Sequence, residues 1–182
     1  MGTNRPAPAE LRGFARALWI AAVVLAGLFT VGASLFTAGY AMDDPGGLAG
    51  LGLIATWFVP LLIAIALAVK VPETAFRILA AIAVLAIAVG IWQLIDPMGL
   101  HEFENRYGPI TAVGSFVTLL PLAIAARVRM WECALLMMAF GISLLLPELR
   151  LGMHLGSSGA VAMPALLIAS LLGLCAALAP RR

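Results

Sequence analysis

Charge is what this sequence has least of. Lysine, arginine, aspartate and glutamate together make up 11% of its 182 residues, against roughly 25% in a soluble globular domain. That deficit excludes an ordinary water-soluble fold, and a hydrophobic content of 63% places the chain in a membrane class. Histidine is as scarce, with only His101 and His154. Cysteine is limited to Cys133 and Cys175. Both cysteines fall near helix ends expected to face the reducing cytoplasm, so they read as small apolar fillers rather than a disulfide. A phosphate-binding glycine loop ahead of a lysine, an H-E-x-x-H pair and a serine on a nucleophile elbow are all missing. The expectation is a non-enzyme with no cofactor. A net charge of +2 gives no footprint for nucleic acid. Lys70 stands alone against ten arginines, which together with abundant Ala, Gly and Leu suggests a bacterial chain of high-GC coding.

Long apolar runs are what the sequence has in place of charge. Six of them read as transmembrane helices near residues 17–42, 48–69, 78–95, 108–126, 130–146 and 159–179. None of their interiors holds an ionised group, which would cost about 2.5–3.5 kcal/mol at the centre of a span. Backbone groups in lipid must pair within their own segment, so helices are expected, and the strict alternation of a β-barrel is absent. The fold class is therefore all-α, a polytopic six-helix bundle forming a single domain over 1–182, with a short cytoplasmic segment at 1–16.

The basic residues give the direction. Arg5, Arg12 and Arg16, then Lys70 and Arg77, then Arg127 and Arg129, then Arg181 and Arg182 fall on alternate sides of the runs from Arg106 and Arg150. Nine against two puts both termini in the cytoplasm under the positive-inside rule. Asp43, Asp44, Asp96, Glu102, Glu104 and Glu148 lean to the outer side. A cleavable leader is disfavoured, because the first run is well beyond the ~7–15 residues of a signal-peptide core.

The even-numbered spans share a proline motif at Pro60, Pro121 and Pro164, each followed by an apolar stretch. The chain parses as three helical hairpins, each returning with a proline; chance self-similarity of Ala/Leu/Ile text is the competing reading. Each proline removes an N–H and crowds the carbonyl four residues back, so a local bend is expected. Small polar faces recur at helical spacing: Gly27, Thr30, Ser34 and Thr37 in the first span, Thr111, Ser115 and Thr118 in the fourth. In lipid such faces favour close helix packing and suit self-association or a protein partner.

The richest polar segment lies between the third and fourth spans. His101, Glu102 and Glu104, with His154 from the last outer loop, form a candidate metal patch of imidazole and carboxylate donors. Their spacing matches no ligand motif, and a solvated interfacial loop is the plainer reading. Glu132, near Arg127 and Arg129, is expected to form an interfacial ion pair. The segments Ala41-Met42-Asp43-Asp44-Pro45-Gly46-Gly47 and Phe103-Glu104-Asn105-Arg106-Tyr107-Gly108-Pro109 resemble those of small six-helix membrane proteins of actinobacteria, a group without an assigned activity. The resemblance extends over most of the chain, implies a bacterial plasma-membrane location, and transfers no functional residue.

Three functions remain as expectations. The first is a non-catalytic subunit or accessory partner of a membrane complex. The second is a small permease or channel for a neutral or apolar solute, lined by the three proline-bearing helices. The third is an outward-facing metal- or lipid-sensing protein.

Overall fold

A computed structural model of the chain describes residues 13–43, 46–100, 102, 110–151 and 157–178. Those residues form six long helices and no strand: α1 Phe14–Asp43, α2 Gly47–Lys70, α3 Pro72–Ile95, α4 Ile110–Ala125, α5 Met130–Leu151 and α6 Ser157–Leu178. A short helical turn over 97–100 follows α3, held where the Gly99 amide donates to Asp96 Oδ1 at 2.9 Å. The fold is all-α. Three helices, α1 to α3, are long and apolar enough to cross a membrane; the apolar parts of α5 and α6, Met130–Leu146 and Ala162–Leu178, are shorter.

The helices outrun the apolar stretches at two places. α3 begins at Pro72, not near Ile78, because Pro72 suits a first helical position and Glu73 complements the positive end of the helix. Glu73 and Arg77 interrupt the hydrophobic run but not the hydrogen-bonded spiral. α5 likewise continues past Leu146 to Leu151. The turns between helices are tight. Val71 alone separates α2 from α3. At the α1–α2 corner Gly46 adopts φ 67° and donates its amide to the Ala41 carbonyl at 3.1 Å, a conformation that a side chain would strain.

Helix packing gives a closed arrangement. α1 meets α2, α2 meets α3, α3 meets α5, α5 meets α6, and α6 returns to α1, while α4 packs against all five. α4 is therefore the central helix. Along it, no residue from Val117 to Ala125 is exposed, and Leu119, Pro121 and Leu122 are fully buried. Leu79, Met137, Phe140, Leu144, Ile168 and Leu172 close on it from α3, α5 and α6. α1 contributes Ala15, Ala22, Ala26 and Thr30, a seam of small side chains that brings its backbone close. Its opposite face, Ile20, Val24, Leu28, Val31 and Leu35, is apolar and exposed along the whole helix.

α3 and α5 approach most closely at Gly90. A Cβ there would lie 2.6 Å from Ser143 Oγ and 2.9 Å from the Ser143 carbonyl oxygen. On the other side of α5, a Cβ at Gly141 would meet Leu166 Cδ2 at 2.8 Å. α5 is thus pressed between α3 and α6 with no room for a methyl group at either glycine. Gly90→Ala should lower thermal stability, because backbone must move, at a cost of roughly 1–3 kcal/mol. Gly32→Ala, where an added Cβ meets nothing within 4 Å, should be neutral or mildly stabilising through helix propensity. Equal melting temperatures for the two purified variants would contradict this packing.

Candidate functional site

The chemistry-bearing residues gather at one end of the bundle, where α1 begins, α2 passes into α3, α4 passes into α5, and α6 ends. Their arrangement follows from backbone accounting. A helix leaves its last carbonyls without partners, and here two helix ends lie side by side. At the end of α2, Val71 N donates to Leu67 O at 2.8 Å, but the next donor is missing because residue 72 is proline. Arg127 supplies it. Its Nη2 donates to Ala68 O at 3.0 Å and also to Val69 O. A guanidinium at a helix C-terminus is favoured by the helix dipole as well as by these bonds. The Arg127 Nε is buried with no acceptor among the described residues.

The end of α4 is closed in the same spirit. Ala126 N donates to Leu122 O at 2.9 Å, and then the spiral tightens, with Arg127 N to Ile124 O at 3.4 Å and Val128 N to Ala125 O at 3.1 Å. That tightening skips the Ala123 carbonyl, and Trp19 Nε1 of α1 donates to it at 3.3 Å. A second bond from α1 runs the other way: Cys175 Sγ of α6 donates to Ala15 O at 2.9 Å. These contacts fix α1 antiparallel to α4 and to α6.

Arg129 joins α3 to α5. Its Nε lies 3.1 Å from Glu73 Oε2, an Nη lies 3.8 Å from Glu132 Oε1, and its guanidinium sits 5.5 Å over the Phe76 ring. The expected pairing of Glu132 with an arginine is present, and Glu73 joins it from a neighbouring helix. With the Arg129 and Glu73 side chains 41% and 54% exposed, the pair contributes about 0–1 kcal/mol. Arg16, Lys70 and Arg77 complete this end, and their side chains are exposed. The site is a positively charged rim around two neutralised carboxylates.

The other residues singled out from sequence are placed as follows. Of the candidate metal set, Glu102 is exposed, and His101, Glu104 and His154 lie outside the described residues. No group of three His, Cys, Asp or Glu assembles among the described residues. The three prolines have three different settings: Pro60 exposed, Pro121 buried, Pro164 partly buried. In the first span, Thr30 is buried and donates to Ala26 O at 2.8 Å, and Ser34 donates to Thr30 O at 2.5 Å. Their hydroxyls satisfy their own helix. Gly27 and Thr37 are partly buried, and Gly27 has open space where a Cβ would be. Thr118 of α4 is buried; the side chains of Thr111 and Ser115 lie outside those described. Cys133 and Cys175 are free and buried in the core.

Sequence reading missed Gly90, Ser143 and Gly141, which make the closest contacts, and the capping role of Arg127. The signal for Gly90 was present, since Ala75, Leu79, Ala83 and Gly90 fall on one face of a helix. Compared with family models, curated proteins and solved structures, the chain matches none.

The two arginines should differ in worth. Arg127→Ala leaves two carbonyls short of a donor and should cost roughly 1–3 kcal/mol, whereas Arg129→Ala removes an exposed pair worth about 0–1 kcal/mol. Arg127→Lys should recover part of the loss, because both carbonyls take their bonds from the single Nη2 and an ammonium also carries donors for both. Thermal unfolding of the three purified variants checks the order; a larger loss at Arg129 would overturn it.

Proposed function

We propose that the chain is an integral protein of a bacterial plasma membrane, crossing it six times with the basic end in the cytoplasm. One observation carries this reading: away from the basic end, the outward faces of α1, α2 and α3 are predominantly apolar. Ile20, Val24, Leu28, Val31 and Leu35 stand exposed on α1, with Leu51, Val59 and Leu62 on α2 and Ile78, Leu85 and Ile95 on α3. In water a patch of this extent would drive aggregation. In lipid it costs nothing, and the small-residue seams beneath it become the packing surfaces.

Within the membrane we read the protein as a non-catalytic subunit or accessory partner. The described polar groups support this. The hydroxyls of Thr30 and Ser34 bond within their helix, and Arg127 and Arg129 are engaged in closing the bundle. The differing settings of Pro60, Pro121 and Pro164 lend no support to a common solute path through α2, α4 and α6. Gly32 and Gly39 of α1 and Gly52 of α2 are exposed and have open space above them, a surface that admits close approach of another helix.

Two measurements test the reading. Lys70→Cys in intact cells should react with a membrane-impermeant maleimide only after permeabilisation, and Asp96→Cys should react without it. The buried native cysteines keep the background low. The reverse pattern contradicts the orientation. Purification from native membranes in mild detergent should recover a stoichiometric partner or a homo-oligomer, and a lone monomer contradicts the subunit reading.

A further inference from the structure

The five cations described at the basic end divide into two groups. Arg127 is committed to the α2 carbonyls, and Arg129 to Glu73 and Glu132. Arg16, Lys70 and Arg77 have exposed side chains and pair with no described carboxylate. These three sit on α1, α2 and α3, consecutive helices of the ring, at the same end. Each also stands beside exposed apolar surface on its own helix: Ile20 one turn beyond Arg16, Ile63 and Val69 before Lys70, Ile78 after Arg77. A cation with no described partner above an apolar face, repeated on three adjacent helices, selects a ligand with a negative head and an apolar tail.

We propose that the rim of Arg16, Lys70 and Arg77 holds the phosphate headgroups of anionic lipids, whose acyl chains lie along the exposed faces of α1, α2 and α3. This rests on the membrane reading above. Arg129 serves the rim indirectly. By taking Glu73 and Glu132 it removes the carboxylates that would otherwise repel a phosphate or pair with the three rim cations. A basic side chain at an anionic membrane surface raises affinity about fivefold, so three together are expected to contribute on the order of a hundredfold. The apolar flank excludes a small soluble anion as the natural ligand, since such an anion gains nothing from it.

The test uses the full chain, delipidated in mild detergent and transferred to nanodiscs of phosphatidylcholine alone or with phosphatidylglycerol. Native mass spectrometry should show phosphatidylglycerol retained over phosphatidylcholine in the parent protein. The triple variant Arg16→Gln, Lys70→Gln, Arg77→Gln should lose the preference by on the order of a hundredfold. The charge-conserving variant Arg16→Lys, Lys70→Arg, Arg77→Lys should keep it, which separates charge from folding. A preference unchanged in the Gln variant overturns the proposal. Displacement of the lipid by inorganic phosphate at equal concentration also overturns it, in favour of a soluble anion. Equal retention of both lipids by an inserted parent protein removes the proposal and leaves the membrane reading standing. Failure to insert into either nanodisc removes both.

Discussion

Two neighbouring helix ends with carbonyls left over determine how this bundle closes. Pro72 lets α3 start one residue after α2 stops, and the same proline deprives the Ala68 carbonyl of its helical donor. Arg127 reaches across from the end of α4 to bond it, and Trp19 reaches from α1 to the Ala123 carbonyl that α4 itself skips. α4 is consequently tied on both sides at the end where its own spiral runs out. Helix ends partly shielded from water require such partners, and a carbonyl left unmet where it is buried costs more than the net value of an ordinary hydrogen bond. The central placement of α4 and the convergence of four chain segments at the basic end follow from this exchange of donors.

Packing elsewhere is governed by size rather than by polarity. Gly90 against Ser143, Gly141 against Leu166, and the alanines of α1 against the core all let backbones come near. The large side chains split into two populations: most of those fully buried at the centre come from α4, α5 and α6, while many of α1, α2 and α3, and others of α5 and α6 such as Leu135 and Leu167, point away from it. In a bilayer that division is coherent. Apolar side chains facing lipid carry no penalty, and association depends on close fit and on satisfied backbone groups. Charges are then confined to the ends, where they close helices or meet the headgroup region.

Several of these features are legible in the sequence, and the reasons differ by residue. The helical segments show because charge is expensive inside an apolar run, so Lys70, Asp96 and Arg127 punctuate the text. The exact starts of α3 and the end of α5 do not show, because Glu73 and Arg77 are tolerated in a helix that merely leaves the apolar zone. Ring order is invisible, since hydrophobic periodicity is weak when a helix has apolar surroundings on every side. A small-residue stripe such as Gly27, Thr30, Ser34 and Thr37 marks a possible seam, yet the alanines at 15, 22 and 26 form most of the one used. Arg127 and Arg129 look alike as neighbours in a basic cluster. Only the three-dimensional position of Pro72 and Glu73 assigns one to carbonyls and the other to carboxylates.

The proposed membrane arrangement requires that α1 face lipid while α4 is enclosed by five helices. Spin labels introduced singly along both helices and read for oxygen accessibility in liposomes test this directly. Labels on α1 should show a helical period with maxima at Ile20, Val24, Leu28, Val31 and Leu35, and labels from Val117 to Ala125 should be uniformly shielded. A lipid-accessible stripe along α4, or a flat profile along α1, would contradict the arrangement.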